Sequence, residues 1–283
     1  MTVNCEKFRI VVDSSADMRG MDGLAFASAP LKIITDAGEY TDDSTLDVRG
    51  MVSELAAYSG RSSSSCPSVG DWLEAFGDGE RIFCLTITAT LSGSYNAACM
   101  AKEEYEEQHP DRCVFVLNTL TAGPEIALIA EFIRERVLSG GEYGAICAEA
   151  EAYSHRTELL FMLESMKNLA NNGRVKPIVA KAAGLLGIRV VGRASERGDL
   201  EPLDKCRGEK KALETIVRRM KSMNYSGGKV KIAHCFNEAA AESLRQKIVD
   251  EMPDAVVEIY PAGGLCSFYA EQGGLLVGFD TVE

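Results

Sequence analysis

Thr86-Ile-Thr-Ala-Thr-Leu-Ser-Gly-Ser-Tyr-Asn-Ala-Ala-Cys-Met-Ala101 passes from a short apolar run through small hydroxyl residues into helix-forming sequence. Residues 82–87, rich in branched and aromatic side chains, have the length of a buried strand, and Ala97 onward leads into a charged helical run ending near Gln108. The turn Leu91-Ser-Gly-Ser94 therefore stands at a helix N-terminus, where unpaired backbone N–H groups and the positive end of the helix dipole favour an anion. Gly93 lets the main chain come close to such a ligand, and Ser92 and Ser94 add hydroxyl donors. A plain helix cap fits the same serines, and the stretch alone leaves both readings open.

Outward from this unit, strands and helices alternate. Residues 8–12 read as a strand ending in the polar turn Asp13-Ser-Ser-Ala-Asp17, residues 29–34 as a second strand, and residues 36–43 as a turn region before a helix over 46–58. Arg61-Ser-Ser-Ser-Ser-Cys-Pro-Ser68 is a second hydroxyl-rich loop that in isolation suits a solvated linker. Pro67 marks a helix entry over 71–76, and Ser68 with Asp71 resembles a capping box with Asp in place of Glu. The single Trp72 lies close to this loop, so its fluorescence is expected to report on a ligand there. A strand over 113–117 and a long helix from Pro124 to about 138 complete an alternation that predicts a parallel sheet with helices on both faces.

Beyond Gly140-Gly141 the texture changes, and a domain boundary is expected after a helix around 146–156. Residues 1–155 would form an N-terminal α/β domain and residues 156–283 a C-terminal α+β domain. The second part reads as a strand over 159–163, a short helix over 166–170, the turn Asn171-Asn-Gly-Arg-Val175, and apolar segments over 178–188 and 188–192. A hairpin-like polar stretch to Pro202, helices over 208–223 and 238–250, and strands over 230–236, 256–260 and 275–279 follow.

Composition limits the function. The 283 residues, 46% hydrophobic and 25% charged, suit one large or two moderate globular domains. Thirty basic against 42 acidic residues give a formal charge of −12, which argues against nucleic acid or an anionic membrane as the main partner. No apolar run approaches the roughly 18–20 residues that span a bilayer, and the first residues lack a secretion-signal pattern, so a cytoplasmic protein is expected. Nine scattered cysteines without a C-x-x-C pair, and three distant histidines, predict neither a disulfide framework nor a metal site.

Several stretches, taken in order, resemble the DegV family. They are Ile10-Val-Val-Asp-Ser-Ser-Ala-Asp17, Pro30-Leu-Lys-Ile33 with Glu39-Tyr-Thr-Asp42, and Ser64-Ser-Cys-Pro-Ser-Val-Gly70 against the family's Thr-Ser-Gln-Pro-Ser loop. Leu91-Ser-Gly-Ser-Tyr-Asn-Ala-Ala98, Met166-Lys-Asn-Leu-Ala-Asn-Asn-Gly-Arg-Val175 and Cys206-Arg-Gly-Glu-Lys-Lys-Ala212 continue the series, almost end to end. Members of this family bind fatty acids, and the best understood act as the fatty-acid-binding subunit of bacterial fatty acid kinase.

The resemblance implies a two-domain protein that holds one long-chain fatty acid in an apolar tunnel between or beside its domains. Ser64, standing where the family has threonine, and Ser94 would grip the carboxylate, with Ser65, Ser92 and the backbone around Gly93 in support. Arg174 matches the arginine of the family's Gly-Gly-Arg motif and would place a charge near the headgroup or a partner face. Where many members carry His-x-Gly-Pro-Gly, this chain has Phe268-Tyr-Ala-Glu-Gln-Gly-Gly274, and Tyr269 falls at the histidine position. Tyrosine donates to a carboxylate but is no cation near neutral pH. Leu159 to Leu163, Leu185, Leu186, Ile188, Leu265, Phe268 and Leu275 are candidates for the tunnel wall, although residues of this kind are more often ordinary core.

The implied function is a non-catalytic carrier with no cofactor beyond its lipid and no metal, presenting the carboxylate to a separate fatty acid kinase subunit that supplies ATP and metal. A lipid sensor without a kinase partner is one alternative. A serine hydrolase is another, although Leu-Ser-Gly-Ser-Tyr95 lacks the Gly-x-Ser-x-Gly elbow and no histidine is well placed as its base.

Overall fold

The computed structural model describes residues 7–177 and 187–281. Of the expected apolar segment over 178–188, residues 178–186, with Leu185 and Leu186, lie outside the described residues. The first part of the chain runs through β1 (Phe8–Asp13), β2 (Ala25–Ala29), β3 (Lys32–Thr35), β4 (Gly38–Thr41), α1 (Val48–Ala57), β5 (Ser62–Ser65) and α2 (Val69–Phe76). It continues with β6 (Arg81–Thr86), α3 (Ser94–Gln108), β7 (Cys113–Asn118), α4 (Pro124–Leu138) and α5 (Tyr143–Ser154).

Strands β2-β1-β6-β7 pair in that order as an all-parallel sheet. Side chains on a strand alternate between faces, and the core divides accordingly. Val11 and Cys84 pack with Trp72 and Phe76 of α2 and Ala98, Ala101 and Tyr105 of α3. Ile10, Val12, Phe83 and Leu85 pack on the other face against Ile126, Ile129 and Ile133 of α4. The capping box at Ser68 and Asp71 is present and starts α2. Trp72, the expected fluorescence reporter, is fully buried in the α2–α3 layer.

Three sequence readings of this half require correction. Residues 29–34 are not one strand: Pro30, which has no N–H to give a ladder, separates β2 of the parallel sheet from β3 of another. Residues 36–43 are not simply a turn, because Gly38–Thr41 folds back on β3 as a hairpin. The serine loop is a strand. Ser62–Ser65 pairs antiparallel with Thr35–Lys32, giving a three-stranded sheet β4-β3-β5 that packs on α1 through Ile33 and Met51. Four serines carry little intrinsic strand preference, and the ladder with β3 supplies the order that their side chains do not.

The second part contains β8 (Thr157–Leu163), α6 (Lys167–Asn171), β9 (Ile188–Ala194), β10 (Leu200–Arg207), α7 (Glu209–Ser222) and β11 (Gly228–His234). Then come α8 (Glu238–Glu251), β12 (Ala255–Pro261), α9 (Gly264–Ala270) and β13 (Leu275–Asp280). Its sheet runs β10-β9-β8-β13-β11-β12, antiparallel except where β11 meets β12. The molecule is therefore α/β, with two sheet-containing domains. Leu160, Met162, Leu275, Val277 and Phe279 face α7 and α8. The opposite face turns toward α4, which is buried along most of its length between the two large sheets and so lacks the one-sided stripe of a surface helix.

α9 was not expected from the sequence. Ala262-Gly-Gly-Leu-Cys-Ser-Phe-Tyr-Ala270 reads as a connection between strands, because two glycines open it and its seven helical residues are too few for a periodic signal. No helix among the described residues is long and apolar enough to cross a membrane.

Candidate functional site

Residues of both domains line an apolar cavity open at one side. Leu159, Phe161 and Leu163 occupy successive inward positions of β8, and Leu276 of β13 continues that wall. Leu265, Cys266 and Ala270 line it from α9, while Leu31, Ile87, Leu91 and Ala122 come from the N-terminal part. Other wall candidates lie elsewhere. Leu160 and Leu275 point to the α7–α8 core, and Phe268 packs with Ile33 and Met51 under the three-stranded sheet. Alternation along β8 explains why a leucine run divides in this way.

The cavity's polar groups, Ser64, Ser92, Arg174 and Tyr269, come from four separate segments. The hydroxyls of Ser64 and Tyr269 are 2.6 Å apart, bringing together residues 205 positions apart in sequence. The Arg174 guanidinium lies 5.8 Å from the Tyr269 ring centroid, donates from Nε to the Leu91 carbonyl at 3.2 Å and from Nη1 to the Asn172 carbonyl at 2.6 Å. Arg174 thus ties the Leu-Ser-Gly-Ser turn to the turn after α6. Burial pushes the Tyr269 phenol above its ordinary pKa, so it is a neutral hydroxyl at physiological pH. Among the described residues that line the cavity none is a carboxylate, and Arg174 is the cation.

Ser65, Gly93 and Ser94 stand outside the lining. Ser65 follows Ser64 on a strand and projects to the opposite face. Gly93 brings the two hydroxyl-rich segments into contact, since a Cβ there would lie 3.1 Å from Cys66 Sγ. Ser94 is fully buried, and its hydroxyl donates to Asp13 Oδ2 at 2.5 Å. The same carboxylate accepts the Ile87 N–H at 2.8 Å and the Ser15 hydroxyl at 2.5 Å. Burial raises the Asp13 pKa, and these hydrogen bonds oppose the rise. Ser92 Oγ accepts the Ser94 N–H at 3.3 Å, a local contact at the start of α3, while also facing the cavity. No histidine hydrogen-bonds Ser92 or Ser94 among the described residues, and no group of three or more His, Cys, Asp or Glu there could hold a metal ion.

A second buried carboxyl lies beyond the cavity, at the start of α4. Glu125 is 4% exposed and accepts hydrogen bonds from Thr121 and, at 2.7 Å, from Thr157. Desolvation pushes its pKa from 4.5 up to about 7. A carboxyl raised in the folded state stabilises the protein below its unfolded pKa, and that contribution is lost as pH rises through the folded value. Glu125→Gln is therefore expected to melt higher than the parent at pH 8, with the difference vanishing near pH 4.5. Thermal melts across this range check it; a gap that widens toward acid would contradict it.

The model of the DegV family, described as a family of uncharacterised proteins, matches residues 7–280. The chain belongs to the DegV family. A DegV domain-containing protein of Streptococcus pneumoniae is 39% identical over 277 residues, 96% of this chain and 99% of that protein. A DegV family protein from Eubacterium eligens, loaded with heptadecanoic acid, matches with a TM-score of 0.96 at 41% identity, over 97% of this chain and 100% of its own. The fatty acid kinase B3 protein of Streptococcus pneumoniae, loaded with linoleic acid, matches with a TM-score of 0.95 at 38% identity, over 98% and 100%. The DegV motifs legible in the sequence thus fall into two groups in space. The Leu91 and Asn172 turns meet at the cavity, whereas Asp17 and Asp42 lie outside it.

Proposed function

We propose that this DegV protein binds one long-chain fatty acid, its acyl chain along the apolar cavity and its carboxylate at the Ser64–Tyr269 end. The observation that carries this reading is an apolar cavity whose polar groups are hydroxyls and one arginine. A carboxylate leaving water needs charge-assisted hydrogen bonds, and the Ser64 and Tyr269 hydroxyls with Arg174 nearby supply donors and positive field. In this reading Ser92 faces the headgroup, and Ser94, Ser65 and the Gly93 backbone support the two loops from behind. Burying the tail contributes about 0.8 kcal/mol per methylene, so a sixteen-carbon chain gains roughly 10 kcal/mol gross. The fatty acids named with the E. eligens and S. pneumoniae structures support the ligand class.

The same protein would present the carboxylate to a separate kinase subunit, a reading supported by the likeness to the fatty acid kinase B3 protein. The carboxylate oxygen is then the nucleophile, and the partner brings ATP and metal. A kinase-independent lipid sensor is the second reading, favoured by Tyr269, a neutral hydroxyl at the position where many members carry histidine. Mixing oleate-loaded protein with a fatty acid kinase subunit and ATP separates the two. Acyl-phosphate formation is expected; tight oleate binding without it would leave the sensor.

A further inference from the structure

Asp13-Ser-Ser-Ala-Asp17 and Glu39-Tyr-Thr-Asp42 contribute no side chain to the cavity. Their last residues converge on one element. Asp17 Oδ1 accepts the Gly263 N–H at 2.9 Å, Asp42 Oδ1 accepts that of Gly264 at 2.7 Å, and Asp42 Oδ2 accepts that of Leu265 at 2.9 Å. We propose that Asp17 and Asp42 are positioning residues for the headgroup end: they hold the N-terminus of α9 and so set the Tyr269 hydroxyl against Ser64. The inference rests on the fatty-acid reading above.

A helix of seven residues does not sustain itself. α9 also lacks a local cap, because Gly263 stands at its N-cap without a side chain to give one. Its leading N–H groups are instead satisfied by side-chain oxygens of Asp17 and Asp42, more than 200 residues away in sequence; burial raises both carboxyl pKa values, and the neighbouring Asp42 raises that of Asp17 further. Glycine is needed for this approach. A Cβ on Gly263 would stand 2.7 Å from Asp17 Oδ1, and one on Gly264 2.7 Å from Asp42 Oδ1.

The backbone that carries these side chains is itself held. The Asp17 N–H donates to the Ser14 carbonyl at 3.1 Å, closing the turn after β1, and the Asp42 N–H donates to Leu31, a cavity residue, at 2.9 Å. At the other end of α9 the Asn168 side chain donates to the Phe268 carbonyl at 2.8 Å. α9 is thus a short rod held at both ends. Leu265, Cys266, Tyr269 and Ala270 face the cavity, so a displaced N-terminus moves the one hydroxyl that α9 gives to the headgroup end.

Asp42→Asn keeps the side-chain shape but turns an NH2 toward one of the two N–H groups that the carboxylate accepts. The test compares binding of oleate and oleyl alcohol, which share a tail, in the parent, Asp42→Asn, Tyr269→Phe and the double variant. Asp42→Asn is expected to lose about tenfold in oleate affinity and to keep the alcohol within about twofold. In the Tyr269→Phe background the same change is expected to leave the oleate-to-alcohol ratio where it was, because both act through one hydroxyl. A folded Asp42→Asn protein with the parental ratio, or an equal loss in both backgrounds, would overturn the inference. If Asp42→Asn does not fold, Gly264→Ala shifts the same helix end without altering charge and is judged by the same ratios. A parent that binds neither ligand would instead overturn the fatty-acid reading.

Discussion

Ser64→Ala combined with Tyr269→Phe is expected to weaken oleate binding by about 100-fold or more while leaving the fold intact. Each hydroxyl that donates to an ionised carboxylate contributes about 1.5–3 kcal/mol, and about 1.4 kcal/mol corresponds to a factor of ten. Losing two such donors therefore costs at least two decades. Stability should change little, because the two hydroxyls are each other's partners at 2.6 Å and removing both orphans neither. Either single variant is expected to lose about tenfold. Oleyl alcohol binding, which depends on the tail, should fall much less. Calorimetric titration with both ligands reads the result, and an oleate affinity within about threefold of the parent would remove Ser64 and Tyr269 from the headgroup site.

Gly278→Ala is expected to be strongly destabilising while leaving the cavity lining untouched. A Cβ at this position of β13 would stand 2.6 Å from the Glu125 nitrogen and 2.8 Å from the Pro124 carbonyl carbon, both backbone atoms of the first turn of α4. No rotamer relieves such a clash, so the sheet and the central helix must separate. Overpacking of this kind costs about 3 kcal/mol, which for a chain of this size lowers the melting temperature by roughly 6–12 °C. Gly20→Ala is the control, since nothing lies within 4 Å of a Cβ there; its melt should match the parent. Equal melts for the two variants would show that α4 is not pinned to the mixed sheet at Gly278.

Strands β1, β6 and β7 of the parallel sheet and their flanking helices are legible in the sequence because the signal is local, whereas β2 (Ala25–Ala29) is not. Branched and aromatic runs such as Ile82-Phe-Cys-Leu85 declare strands, and β6 and β7 are each followed by a helix with a recognisable entry. The three-stranded sheet is not legible, because Ser62–Ser65 becomes a strand only through its ladder with Lys32–Thr35. α9 is hidden for a related reason: the groups that cap it, Asp17 and Asp42, sit more than 200 residues from it in sequence.

The same distinction runs through the site. Loop chemistry and likeness to a family single out Ser64, Ser92, Arg174 and Tyr269 separately, and the fold brings them to one cavity. Ser94 shows the limit of local reading. Its position at the start of α3 marks it as a donor, but only the fold reveals that its proton points to Asp13, at the end of β1. Its substitution should therefore disturb the meeting of β1, β6 and α3 as well as any ligand, which makes Ser64 and Tyr269 the cleaner probes. Trp72, expected to report on a ligand at the serine loop, packs in the α2–α3 layer and does not line the cavity.

The central claim, that the hydroxyl-ended cavity holds a fatty acid, is tested most directly by extracting the purified protein with organic solvent and identifying the released lipid by mass spectrometry. The account predicts a long-chain fatty acid at near one equivalent from the parent, and strong depletion from the Ser64→Ala/Tyr269→Phe protein purified in parallel. A folded parent that releases no fatty acid and takes up none when offered oleate would contradict it.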